Sequence, residues 1–141
     1  MRISTRGRYA LRVMIDLAEH QSEGLIPMKD VAQRQGLSLK YLERILPALT
    51  KGKCIEGTHG KGGGYRLTRD VKDYSVGEIL RLTEGDLAPV ACLEHNAEPC
   101  ERAGDCRTQP LWRGLNKVIN DYLDKVSLAD LLEESTSTPS L

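Results

Sequence analysis

The segment Gln35-Gly36-Leu37-Ser38-Leu39-Lys40-Tyr41-Leu42-Glu43-Arg44 reads as a tight turn followed by the capped start of a helix. Gln35-Gly36-Leu37 makes the turn, and the Ser38 hydroxyl is a natural acceptor for the unpaired amides of a first helical turn. Leu39, Leu42, Ile45, Leu46 and Leu49 then recur at helical spacing, so Leu39–Thr50 is expected to bury all five. The opposite face carries Lys40, Tyr41, Glu43 and Arg44. Pro47 cannot donate to the carbonyl four residues back and is expected to kink or thin the last turn.

Upstream, Ser4–His20 reads as a helix with Ser4 or Thr5 as cap and Tyr9, Val13, Met14, Leu17 and Ala18 on its apolar side. Gln21–Pro27 is expected to be a polar connection around Gly24, and Met28–Gln33 a short helix carrying Val31 and Ala32. Downstream of Lys51-Gly52-Lys53, strand-like Cys54–Glu56 and Tyr65–Leu67 flank a run with five glycines in eight residues, Gly57–Gly64, the composition of a hairpin tip. Ser75 and Glu78 have capping-box spacing and open a helix to about Thr83, closed by Gly85. Asp86–Gln109 has no apolar period and holds three of the four cysteines. Pro110 suits a first helical turn, and Trp112, Leu115, Val118, Ile119, Tyr122, Leu123 and Val126 mark a long amphipathic helix over Leu111–Val126. A short helical turn at Leu128–Leu132 and a Ser/Thr/Pro tail over Ser135–Leu141, expected to be disordered, complete the chain. The fold class expected is mainly α with a small β-wing. A winged helix-turn-helix is expected over residues 1–85, a cysteine-bearing loop over 86–109, and a dimerisation helix with a short terminal helix over 110–134.

The 141 residues balance 20 basic against 20 acidic side chains, which excludes a polycation that coats nucleic acid indiscriminately. The balance hides a division. Residues 1–75 hold 14 Lys and Arg against 8 Asp and Glu, and residues 76–141 hold 6 against 12. A basic binding half and an acidic half with another task follow. No apolar run approaches the roughly 18 residues of a membrane span, and no secretory leader is visible, so a cytoplasmic chain with no membrane partner is expected. Four cysteines are then thiols or metal ligands rather than disulfides. Cys54, entering the wing strand, reads as a small buried hydrophobe, and His20 as a charge at a helix C-terminus.

The basic half has the plan of a double-stranded DNA reader. Lys40 offers a phosphate or guanine donor, Tyr41 a hydroxyl for phosphate, Glu43 an acceptor for cytosine and Arg44 a second guanine donor. Thr58, His59 and Lys61 top the wing, where they reach the backbone or the minor groove. Arg2, Arg6, Arg8 and Arg12 gather on the first helix, whose N-terminus is a further phosphate site.

Met1-Arg2-Ile3-Ser4, Gly7-Arg8-Tyr9-Ala10, Ser38-Leu39-Lys40-Tyr41-Leu42-Glu43 and Gly60-Lys61-Gly62-Gly63-Gly64-Tyr65 together resemble the Rrf2 family of bacterial winged-helix regulators, in particular its iron–sulfur cluster regulator branch. The resemblance runs from Met1 to about Leu132. It implies a homodimeric transcription factor, usually a repressor, on a palindromic operator, with Ser38, Tyr41 and Glu43 contacting DNA. Lys40 and Arg44 replace smaller polar groups, and His59 stands where an Arg usually precedes the wing glycine, which implies pH-dependent affinity.

Cys92, Cys100 and Cys106 are separated by seven and five residues, a spacing that by itself suits either a metal-binding loop or three ordinary reduced thiols. The resemblance implies cluster ligands, because the three fall where cluster-binding relatives carry theirs. A [2Fe–2S] centre is favoured over [4Fe–4S]. The position three residues beyond the last cysteine is Gln109 rather than His, and Arg8 stands where nitric-oxide-sensing relatives carry Asp. The fourth ligand is then His95, Glu98 or Asp105, or a group from the partner subunit. The sequence contains no nucleophile elbow, phosphate-binding loop or paired catalytic carboxylates, so no enzyme is expected. A cluster-free regulator answering to a metabolite, a partner enzyme or thiol oxidation is the alternative, and a zinc-stabilised module a third reading.

Overall fold

The computed structural model describes residues 2–133 apart from His59 and Ala103. Six helices and one hairpin follow in the order α1 (Thr5–Glu19), α2 (Met28–Gln35), α3 (Leu39–Lys51), β1 (Ile55–Thr58), β2 (Gly64–Leu67), α4 (Val76–Glu84), α5 (Gln109–Lys125) and α6 (Leu128–Glu133). The expected disordered tail and the wing residue His59 lie outside the described residues.

Each helix of the helix-turn-helix starts and stops for a local reason. Ser4 caps α1 and Ser38 caps α3, their hydroxyls accepting from the amides of Gly7 and Tyr41. Between α2 and α3 the chain reverses at Gly36, whose φ of 65° lies in the left-handed region that a side chain disfavours. α2 runs two residues beyond its expected end, to Gln35. α3 continues through Pro47 to Lys51, since Ile45, Leu46 and Leu49 on the same segment are all buried and hold the turn that has lost one donor.

The main core is aliphatic. Val13, Met14 and Leu17 of α1 meet Val31 of α2, Leu42, Ile45 and Leu49 of α3, and Ile79 of α4. Leu128 of α6 is fully buried in the same cluster, so the chain returns to the winged domain after α5. It is held there by the amide of Leu128 donating to the Tyr74 carbonyl and that of Val76 to the Val126 carbonyl. A smaller cluster of Val76, Leu80 and Leu87 is covered by Leu123 and Val126.

Three expectations are corrected. Leu39 does not join the inner face of α3: it is 38% exposed, because the first turn of the helix projects past the core. The capping box at α4 forms only by half. The Ser75 hydroxyl accepts from the Glu78 amide at 3.0 Å, but the Glu78 carboxylate turns away to Arg69, at 2.7 and 3.0 Å. Gln21–Pro27 is not wholly a connection either. Ile26 is buried and pairs with Tyr65 through two amide–carbonyl bonds of 2.9 Å, adding a bridge to the edge of the β1–β2 hairpin.

Candidate nucleic-acid interface and cysteine loop

β1 and β2 pair antiparallel, with Ile55 opposite Leu67 and Thr58 opposite Gly64, and the tip carries Gly60 and Gly62 at φ of 99° and 79°. Lys61 is exposed between them. The wing leans toward the start of α3, and a cavity of about 540 Å³ between them is lined by Leu39 and Glu43 of α3, Thr58 and Lys61 of the wing, and Pro27 and Met28 at the start of α2. Recognition helix and wing therefore share one surface.

Along that surface Ser38, Lys40 and Arg44 are exposed and Glu43 is half-buried. Among the described residues, Lys40, Arg44 and Lys61 enter no ion pair, so their charges are available to a ligand. Tyr41 differs. Its ring meets Tyr9 edge-on, with centroids 5.4 Å apart and planes at 80°, and it is half-buried against the core. Arg12 lies over the opposite partner, 5.5 Å from the Tyr9 ring centroid. Arg2 is exposed beside the base of the cysteine loop, in a cavity with Glu84, Asp86 and Glu94.

The arginines of α1 are not a free cluster. Arg12 donates to the Gln35 side chain at 3.1 Å and to the Gln35 carbonyl, and Arg6 reaches the Thr83 carbonyl at 3.4 Å. The N-terminus of α1, expected as a phosphate site, is occupied by a carboxylate of the chain itself. Glu84 Oε1 accepts from the Ser4 amide at 3.0 Å, the Ser4 hydroxyl at 2.5 Å and the Gly7 amide at 3.1 Å. A methyl group at Gly7 would lie 2.3 Å from that oxygen, so a side chain there would push the carboxylate from its present place.

Sequence reasoning missed the polar clamp behind the turn. Asp16, 1% exposed on α1, accepts from Arg34 at 2.6 and 3.1 Å and from the Gln35 side chain at 3.0 Å. The clamp ties the end of α2 to α1 and so sets where α3 begins. An acidic residue among apolar neighbours at positions 13, 14, 17 and 18 was its only signal. His20, read as a helix-terminal charge, lies 3.6 Å from Asp16.

Cys54 is fully buried, as expected, yet it is not inert packing. Its Sγ lies 3.6 Å from Arg69 and 4.0 Å from Glu78, and burial beside Glu78 pushes the thiol up, Arg69 offsetting only part. Tyr74 closes the cluster: its hydroxyl donates to the Cys54 carbonyl at 2.7 Å and accepts from the amides of Thr68 and Arg69.

Cys92 and Cys100 are exposed and Cys106 half-buried, all three free thiols in the irregular segment between α4 and α5. Cys106 sits three residues before the helix, where the Thr108 hydroxyl, then the Thr108 and Gln109 amides, pull its thiol down. The donor set suits a soft metal or cluster. Among the described residues, however, no three His, Cys, Asp or Glu side chains converge at metal-binding distance, so the loop does not bring Cys92, Cys100 and Cys106 together. The main-chain amide of His95 donates to the Asp86 carboxylate at the base of the loop.

The expected stripe on α5 divides. Leu123 and Val126 are covered by the second cluster within the chain, Trp112 and Ile119 are half-buried, and Leu111, Leu115, Val118 and Tyr122 are 60, 39, 64 and 66% exposed. Among the described residues, no helix is long and apolar enough to cross a membrane.

A helix-turn-helix with a two-stranded wing, basic on one side and extended by a long helix, defines a winged-helix regulator. A family model described as Rrf2, an iron-dependent transcriptional regulator, matches residues 3–134. The HTH-type transcriptional regulator IscR of Serratia proteamaculans is 36% identical over 132 residues, which cover 94% of this chain and 79% of that protein. CymR of B. subtilis, described as its global cysteine regulator, superposes with a TM-score of 0.77 at 32% identity, covering 94% of this chain and 97% of that one. IscR of T. potens superposes with a TM-score of 0.74 at 33% identity, covering 99% and 94%. The chain belongs to the Rrf2 family of transcriptional regulators, and its relatives are regulators rather than enzymes.

Proposed function

We propose that the protein is a sequence-specific DNA-binding regulator, acting as a repressor, whose homodimer grips a palindromic operator. One observation carries the reading: α3 and the wing border a single cleft through Leu39, Glu43 and Lys61, and the basic groups Lys40, Arg44 and Lys61 of these two elements are exposed and enter no ion pair among the described residues. Ser38, Lys40, Tyr41, Glu43 and Arg44 address the major groove from α3, with Thr58, His59 and Lys61 on the wing and Arg2 as a flanking phosphate contact. Tyr41 contributes through its hydroxyl edge, its ring being fixed against Tyr9. The exposed side chains of α5 pair with their two-fold mates.

Cys92, Cys100 and Cys106 hold an iron–sulfur cluster in this reading, with His95 or a partner-subunit group as fourth ligand. The group supplies a redox- and iron-sensitive centre. The loop residues must close to form it, and that closure, next to α5 and the Glu84 cap on α1, is what couples sensing to DNA affinity. A cluster-free thiol regulator is the second reading, favoured by the unconverged cysteines and the likeness to CymR.

Gel-shift titration against salt tests DNA binding, which must weaken steeply as salt rises. Anaerobic purification with iron, sulfide and optical spectra separates the sensing readings. Colour that is lost in Cys92→Ala, Cys100→Ala and Cys106→Ala supports the cluster, and an iron-free, colourless protein rejects it.

A further inference from the structure

Leu39 is placed unlike the other leucines of α3. Leu42, Leu46 and Leu49 are sealed in the core, whereas Leu39 is 38% exposed in the first turn, directly after the cap Ser38. It lines the cleft between α3 and the wing, beside Leu25, itself 41% exposed, and in company with Glu43 and Lys61. Leu39 and Glu43 are one helical turn apart and lie on the same side of α3. An apolar side chain left open among groups assigned to DNA needs an apolar object on the DNA. On the major-groove edge of a base pair the 5-methyl of thymine is that object, and recognition helices address base edges with their N-terminal residues.

We infer that Leu39 is a specificity-determining residue that reads the 5-methyl group of a thymine in each operator half-site, next to the base addressed by Glu43. The inference rests on the DNA-binding reading above. Lys29 and Lys61 flank the cleft and hold the neighbouring backbone, so the isobutyl group meets the groove rather than bulk water. Contact removes apolar surface of both partners from water, and uracil, which differs from thymine by that methyl alone, forfeits it.

The test takes a duplex selected by the full chain from a random-sequence pool, with each thymine replaced in turn by deoxyuridine. One replacement per half-site is expected to weaken binding by the unaltered protein about 3–10-fold. Leu39→Ala should bind the parent duplex more weakly by a similar factor and respond to that replacement by less than about 1.5-fold, while Leu39→Met stays sensitive. Three results overturn the inference while DNA binding stands: equal binding of every deoxyuridine duplex, a selected half-site without thymine, or Leu39→Ala as sensitive as the parent. A pool that yields no preferred duplex overturns the DNA-binding reading itself, and the inference with it. The deoxyuridine series on the unaltered protein is independent of how well any variant folds.

Discussion

Asp16 sits on the buried side of α1, where Arg34 and Gln35 together supply three donors to its two oxygens. Removing the carboxylate leaves a guanidinium without its partner, so Asp16→Ala is expected to cost about 2–3 kcal/mol, the Arg34 side chain being 33% exposed and able to recover some hydration. Thermal melting should report a fall on the order of 10 °C. Cys54 gives the pH dependence. Its thiol ionises later in the folded chain than in the unfolded one, so only the unfolded chain releases the proton first as pH rises. Stability therefore falls from the ordinary thiol range upward. Urea denaturation between about pH 8 and 10 should show that fall flattened in Cys54→Ala, although the variant is less stable at neutral pH. At this scale sequence reading was uneven. The burial of Cys54 and the caps at Ser4, Ser38 and Ser75 were legible, since they depend on a few neighbouring residues. The Glu78 carboxylate was misread because its partner, Arg69, comes from outside the helix.

At the scale of elements, the proposed function makes α3 and the wing one reader. Arg44→Ala is expected to cost about 1–3 kcal/mol of operator binding and to relax the preference at one base pair, as a lost guanine contact would. Lys61→Ala should weaken binding alike for all sequences and reduce the slope of log affinity against log salt by about 1. Fluorescence titration of a selected and a scrambled duplex over a salt series separates the two. Apolar spacing located the helices because each buries one stripe, and the glycine run located the hairpin. The bridge from Ile26 to Tyr65 was not legible: it joins segments 39 residues apart, and nothing within Gln21–Pro27 announces a strand. The position of Leu39 was lost for a related reason. Periodicity says which side of a helix is apolar, not how far the core extends along it.

The whole molecule turns on α5, which gives Leu123, with Val126 just beyond its end, to its own chain and leaves Val118 and Tyr122 at 64 and 66% exposure. Val118→Asp is therefore expected to leave the fold intact by circular dichroism and to shift sedimentation from dimer to monomer. Operator affinity should then fall at least ~100-fold, since each half-site must be gripped alone. Order along the chain already determined the winged helix-turn-helix, the basic and acidic halves and the three-cysteine loop, because caps, apolar periods and charge blocks are local properties. Tertiary structure decided what those pieces do to each other. It placed Glu84 on the start of α1, tied Arg34 and Arg12 to partners within the chain, kept the loop thiols apart and exposed Leu39 beside the wing. The reason is that hydrogen-bond partners and burial depth are set by segments distant in sequence, and no local pattern encodes which distant segment arrives.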